Sequence, residues 1–207
     1  MNTDGRELWY TFRDKFADVV DNCRPAELDQ AWRTAKRRTE FYTANVLGKL
    51  QSYLGMNLHR ELFTVDYVMR READGVAVPM IFIESENDIR GAVHEVEKLA
   101  SIACPLKVLI TVGEWSERWR HGGLRKEMTA CWQHVVRVYH SQAPRVGIMG
   151  FLVGERHEHD LRFFAWALQP DGEFLEPESE LVYVHLPTEG YTPIAKETAA
   201  STARGSV

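Results

Sequence analysis

Apolar positions in the opening third of the chain recur at helical spacing. The spacing predicts one helix over residues 6–22 and a second over about 26–54, with Pro25 near the start of the second. The apolar positions of the second helix are Ala31, Ala35, Val46, Leu47, Leu50 and Leu54. We therefore expect this third of the molecule to be helical.

The pattern changes to short apolar runs from Glu61 onward. The runs "LFTVDYVMR" and "MIFIESE" predict two strands, which a turn near Asp74-Gly75 joins into a hairpin. The following stretch, 88–103, carries its apolar side chains on one helical stripe with Asp88 as an N-cap, and "LKVLITV" predicts a further strand. The order indicates a strand, helix, strand crossover.

The remaining pattern predicts one more helix and three more strands. The helix spans about 116–141 with an interruption near Gly122-Gly123, and the strands are "RVGIMGFLVGE", "LRFFAWALQP" and "ELVYVHL". This order predicts a layered α/β domain with a mixed sheet, in which the crossover pairs parallel and the hairpins antiparallel. We assign 1–187 to one domain, and 188–207, small and polar without periodicity, to a flexible C-terminal tail.

Net charge, cysteine spacing and the lengths of apolar runs exclude some classes of protein but do not indicate one function. The net charge is −5, and the three cysteines are widely spaced without a C-x-x-C pair, which argues against a disulfide framework or a cysteine zinc site. No run of about 18 apolar residues occurs, and the start has no signal-peptide pattern, so we expect no membrane partner and a cytoplasmic location. The acidic balance does not favour nucleic acid, but basic residues cluster locally in "WRTAKRRTE".

Acidic residues gather on the predicted hairpin. Glu84 and Glu86 are two residues apart in a strand, so they share a face. A turn centred near residue 75 sets Asp66 opposite Glu84. Like charges this close raise one another's pKa, and a divalent cation such as Mg²⁺ offsets that cost. The alternative is that the glutamates lie in water at the strand end and Asp66 pairs with Arg70.

This arrangement resembles the PD-(D/E)XK nuclease superfamily over about residues 27–113. The corresponding elements are a helix with Glu40, a strand with Asp66, the sequence Glu84-Ser85-Glu86, the helix "HEVEKLA" and the strand "LKVLITV". The sequence has E-x-E where the family usually has E-x-K. The resemblance implies a three-layer restriction-endonuclease-like domain, with a central mixed sheet flanked by helices.

The resemblance also implies a function and its residues. It implies metal-dependent hydrolysis of phosphodiester bonds, in DNA rather than RNA, with Asp66 and Glu84 binding Mg²⁺ or Mn²⁺. Glu86 would be a further ligand or orient the attacking water, and Glu40 would join through a bridging water. Many nucleases of this type work as homodimers. The candidate nucleic-acid-binding residues are Arg33, Lys36 and Arg37, which are equally typical of a solvated helix face.

A catalytically inactive member that binds protein or nucleic acid is the alternative, because lysine is missing from the motif. At 100° per residue, Lys98 falls opposite the apolar stripe of its helix, so we expect its side chain to face solvent. Lys107 and Lys36 are the other candidates for the lysine that is missing from the motif. We expect His157 and His159 to form a polar hairpin tip. Core or interface positions are expected for the tryptophans at 115, 119, 132 and 166.

Overall fold

The strands follow one another across the sheet in the order in which they occur along the chain. The computed structural model describes residues 4–187 and contains one seven-stranded sheet. Three neighbouring strands, β3 to β5, are parallel, and the other pairs are antiparallel. The strands are β1 (Asn57–Leu62), β2 (Val65–Ala73), β3 (Val76–Glu86), β4 (Leu106–Val112), β5 (Ile148–His157), β6 (Asp160–Leu168) and β7 (Phe174–His185).

Helices cover both faces of this sheet. Two of them, α5 (Ala92–Ala100) and α6 (Arg125–Gln142), pack on one face. The other face carries α1 (Gly5–Asp21), α2 (Pro25–Ala31), α3 (Ala35–Phe41), a π-helical segment (Tyr42–Leu47) and α4 (Gly48–Leu54). The three-layer α/β architecture with a mixed sheet is therefore confirmed. Among the described residues, no helix combines the length and the apolar character needed to cross a bilayer.

Alternation along β3 divides the core into two parts. Ile81 and Ile83 pack into the layer beneath α1, whereas Phe82 packs into the layer beneath α5 and α6. This alternation follows from the period of two in a strand. Glu84 shares the parity of Phe82, so its side chain lies on the face that α5 covers.

The structure differs from the sequence prediction at three boundaries. The helix predicted over 26–54 breaks between α2 and α3, where the Thr34 hydroxyl caps α3 by accepting from the Arg37 amide. The predicted hairpin is a three-stranded meander, because β1 and β2 are joined at Phe63-Thr64, both at positive φ. Such φ values are uncommon for these residue types, so the turn had no sequence signal. The long last helix begins only at Arg125. The predicted tail lies outside the described residues.

Candidate carboxylate site

Asp66 and Glu84 lie opposite each other on neighbouring strands. The register of β2 and β3 pairs Tyr67 with Ile83, as a turn near residue 75 requires. The Ser85 amide donates to Asp66 Oδ2 over 2.9 Å, and the Asp66 amide lies 3.4 Å from Glu84 Oε2. The two carboxylates are thus held together at the end of β3, on the side that α5 covers.

The prediction that Lys98 faces solvent is wrong. Its Nζ lies 2.8 Å from Glu84 Oε1 and 2.5 Å from Glu95 Oε2, and 35% of the side chain is exposed. Helical side chains lean toward the N-terminus of their helix, and lysine can extend its methylenes along a surface to place its ammonium group. The N-terminus of α5 follows the end of β3 closely, so Lys98 reaches back toward the sheet. The helical wheel locates the Cβ atom and misses this reach.

The charge balance of this cluster perturbs the titration of Glu84. Only 1% of Glu84 is exposed. Burial raises its pKa to about 7; Asp66 and Glu95 add to the rise, and the hydrogen bond from Lys98 opposes it. Burial alone would lower the pKa of Lys98, but the hydrogen bonds to Glu84 and Glu95 outweigh burial and raise it. One lysine therefore does not fully compensate the carboxylates around it.

The other two predicted carboxylates lie apart from this contact. Glu86 follows Glu84 on the same face, and its Oε1 accepts from the Asp88 amide over 2.8 Å. Glu40 is on the exposed face of α3, with Oε1 4.0 Å from Lys36 Nζ. Within residues 4–187 there is no group of three or more His, Cys, Asp or Glu side chains placed to hold a metal ion. Neither residue completes a three-carboxylate set with Asp66 and Glu84.

The pair Asp66 and Glu84 nevertheless has the donor chemistry of a small magnesium site. Mg²⁺ in proteins is often bound by one or two carboxylates, and its remaining positions are filled by water and phosphate oxygens. Glu84 is buried beside Asp66 and Lys98, and a divalent cation there would favour the ionised carboxylate that burial opposes. The donor types therefore match those that Mg²⁺ or Mn²⁺ uses, while the described residues contain no larger group placed to hold an ion.

The basic run "RTAKRR" separates into side chains with different surroundings. Arg33 pairs with Asp29 at 2.8 Å, Lys36 lies on the exposed face of α3 with Glu40, and Arg37 is exposed. Arg38, which was not among the predicted nucleic-acid-binding residues, turns toward the sheet. Its Nε donates to Asn87 Oδ1 over 3.0 Å, directly after the end of β3. No sequence signal distinguishes Arg38 from its neighbours, because its direction depends on how α3 packs.

The remaining candidates from the sequence lie elsewhere. Lys107 is buried at the start of β4, where its Nζ donates to the Val146 carbonyl and burial lowers its pKa to about 8. His157 ends β5 and His159 lies in the turn before β6, so the predicted hairpin tip is confirmed. Core positions are confirmed for Trp115, Trp132 and Trp166, which are buried. The indole of Trp119 is only half-buried.

Comparisons with known proteins give no family for this chain. No family model matches it, and no curated protein matches it. Among solved structures, it is similar to the central domain of yeast acetyl-CoA carboxylase, with 6% sequence identity and a TM-score of 0.41. The match covers 83% of this chain and 34% of that chain, so this chain spans about a third of the other's length. A similarity at this level carries no argument about fold or function.

Proposed function

We propose that this protein is a Mg²⁺-dependent nuclease that hydrolyses phosphodiester bonds in nucleic acid, DNA in preference to RNA. One observation carries the proposal: Asp66, Glu84 and Lys98 meet at the end of β3. The elements around them run in the order helix, three-stranded meander, helix and parallel strand. This order is similar to that of the PD-(D/E)XK superfamily, with the lysine supplied by α5 in place of the strand.

Each residue of the cluster has a chemical role in this proposal. Asp66 and Glu84 would hold the ion, which supplies a water of lowered pKa and stabilises charge developing at phosphorus. Lys98 orients the Glu84 carboxylate, and its ammonium group can also donate to a phosphate oxygen of the substrate. Glu86, next on the same face, would accept a proton from or orient the attacking water. Glu84 would bind the ion in its ionised form, which burial opposes and a bound cation would favour.

The proposed nucleic-acid substrate would also contact α3. Lys36 and Arg37 are exposed there, and phosphate contacts from such side chains give affinity without sequence specificity. Arg33 would contribute less, because it is paired with Asp29. We further propose a cytoplasmic location and a homodimer as the working state.

The second candidate function is a catalytically inactive module of the same architecture that binds protein or nucleic acid. Two observations favour it: Lys98 is occupied by two carboxylates, and the Glu86 carboxylate accepts from a backbone amide. Titration calorimetry with Mg²⁺ separates the two candidates. Ion binding that disappears in Asp66→Asn counts against the inactive module.

The proposed function is tested by incubating the protein with Mg²⁺, Mn²⁺ or EDTA and labelled single- and double-stranded DNA and RNA. We expect metal-dependent cleavage that falls at least about 100-fold in Glu84→Gln, because removing one preorganised charged group costs that much in comparable sites. Glu97→Gln is the matched control, since the Glu97 side chain is 44% exposed on α5 and lies 3.4 Å from His94. Cleavage that persists in Glu84→Gln at the wild-type rate would overturn the proposal.

A further inference from the structure

A pocket opens at the carboxyl ends of β4 and β5, beyond the carboxylate site. It has a volume of about 220 Å³ and is lined by aromatic, basic and glycine residues. A second pocket of about 400 Å³ shares Val112, Gly113 and Glu114 with it and continues to Asn87 and Asp88 after the end of β3. The two pockets form a groove along this edge, the edge at which open α/β sheets usually bind ligands.

Arg38 brings a positive charge to this groove without a carboxylate partner. Its guanidinium donates to Asn87 Oδ1 and, over 3.4 Å, to the Trp32 carbonyl, and within residues 4–187 it forms no ion pair. The side chain is half-buried and its hydrogen-bond partners are neutral, and burial lowers its pKa against a smaller opposing effect of Tyr42. A bound anion would restore the missing interaction.

A second arginine, Arg156, lies beside Arg38 in the lining of this pocket. Arg156 lines the same pocket and binds Asp29 Oδ1 over 2.7 Å, while Arg33 binds Oδ2 of the same carboxylate. Burial alone would raise the pKa of Asp29, but the two guanidinium groups outweigh burial and hold it below the ordinary value. Asp29 thus lies between Arg33 and Arg156, and of these two arginines only Arg156 lines the pocket. Glu114, at the rim, is exposed.

Trp119 supplies a fixed aromatic wall opposite these arginines. Its Nε1 donates to the buried Glu155 carboxylate over 2.9 Å, and its ring meets the His157 ring edge-on at 5.0 Å. Glu155 also accepts from the Trp115 amide and the Ser116 hydroxyl, which fixes the loop that carries Trp119. The ring is thus oriented while remaining half-exposed. Trp32, on the other side, is buried, and its indole N–H has no partner in the described chain.

We infer that this pocket binds one nucleotide of a single-stranded nucleic acid, its phosphate at Arg38 and Arg156 and its base on the Trp119 ring. A partly desolvated arginine beside a half-exposed indole matches an anion that is linked to a planar ring, and stacking of this kind accepts any base. The groove toward Asn87 would lead the strand to Asp66 and Glu84. The inference rests on the proposed function for the identity of its ligand, and it adds that the substrate is single-stranded at this point.

The test measures binding in EDTA, so that it does not depend on cleavage. The probes are a fluorescein-labelled oligothymidylate of about eight nucleotides, the same sequence as a duplex, thymidine monophosphate and inorganic phosphate. We expect the single strand to bind at least about tenfold more tightly than the duplex or phosphate alone. Weak thymidine monophosphate binding that competes with the strand would identify the same pocket, whereas a mononucleotide that binds as tightly as the strand would overturn the assignment to a strand.

Two substitutions locate the binding. Arg38→Gln and Trp119→Ala should each raise the Kd for the single strand about tenfold, and Trp119→Phe, which keeps an aromatic ring, should raise it less. Arg6→Gln is the matched control, because Arg6 is exposed in the first turn of α1, at the opposite edge of the sheet. Circular dichroism checks that each variant folds.

The outcomes separate this inference from the proposed function. Binding that Arg38→Gln weakens and Glu97→Gln leaves unchanged supports the pocket even if no nuclease activity is found. Equal weakening by Arg38→Gln and Arg6→Gln would overturn the inference, because it would show diffuse attraction by net charge. Unchanged binding in both Arg38→Gln and Trp119→Ala would also overturn it.

Discussion

Lys98 Nζ lies 2.8 Å from Glu84 Oε1, although Lys98 projects from the side of α5 opposite its apolar stripe. The contact joins a residue of the helix to a residue of the strand that precedes it, because α5 starts close to the end of β3. A basic group absent from the strand motif thereby reaches the same carboxylate.

The stability of the metal-free protein should depend on pH through Glu84. Its folded pKa of about 7 exceeds its ordinary value of 4.5, so folding is disfavoured when this group ionises. The effect is absent below about pH 4.5, grows as pH rises toward 7 and is complete above it. From pH 5 to pH 8 the wild type should therefore lose roughly 2 kcal/mol of unfolding free energy relative to Glu84→Gln.

Urea unfolding of both proteins in EDTA at the two pH values measures this difference. Glu97→Gln, an exposed change on α5, should follow the wild type. A constant difference between wild type and Glu84→Gln across this range would contradict the assignment of a raised pKa to Glu84.

Lys98→Met should raise the pKa of Glu84 further. The ammonium group is the group that holds this pKa down against burial, Asp66 and Glu95. Its removal should move the pH range over which stability is lost upward by about one unit. It should also cost about 2 kcal/mol at pH 8, since a buried carboxylate loses its partner. The same urea series gives both values, and Mg²⁺ should recover part of the loss if the ion binds beside Glu84.

Comparing Asp66→Asn with Asp66→Ala should separate the contribution of the Asp66 charge to ion binding from the contribution of its hydrogen bond to stability. Asp66 Oδ2 accepts from the Ser85 amide over 2.9 Å, and asparagine keeps an oxygen acceptor at that place. We expect both variants to lose Mg²⁺ binding in calorimetry. Only the alanine variant should lose about 1 kcal/mol of unfolding free energy, from the missing hydrogen bond. Asparagine binding the ion as tightly as aspartate would argue that Asp66 is not a ligand.

Glu155→Gln should loosen the loop between β4 and α6. The buried carboxylate accepts from two backbone amides, the Ser116 hydroxyl and Trp119 Nε1. Three of these donors share Oε2, where glutamine can place its oxygen with its NH2 group toward the Ser116 hydroxyl, but the negative charge is lost, so we expect a loss of about 2 kcal/mol. Hydrogen exchange should show faster exchange at the Trp115 and Ser116 amides. Unchanged exchange at both amides would contradict this role of Glu155.

The predictability of each feature depends on how local its cause is. The contact of Asp66 with Glu84 could be predicted, because antiparallel register depends only on the position of the turn. The turn at Phe63-Thr64 could not, since neither residue is a usual turn former. The three-layer packing could also be predicted, because the order of helical and strand patterns along the chain agrees with the tertiary structure.

Side-chain direction was the part that the sequence did not reveal. A helical wheel gives the direction of Cβ, whereas the ammonium of Lys98 and the guanidinium of Arg38 end several bonds farther away. The π-helical segment after α3 also changes the phase of the helix in a way that a regular period does not describe. The basic residue that meets the sheet edge was therefore not distinguishable from its neighbours by spacing.

The sequential strand order has a consequence for synthesis. Each strand from β2 onward pairs with the strand made immediately before it, so the sheet can grow by addition at one edge as the chain leaves the ribosome. The first helix, α1, must wait, because it packs against β4, β5 and β7. An incomplete chain would thus hold a partly built sheet with an uncovered face, and ribosome-bound intermediates should recruit chaperones until β7 has been released.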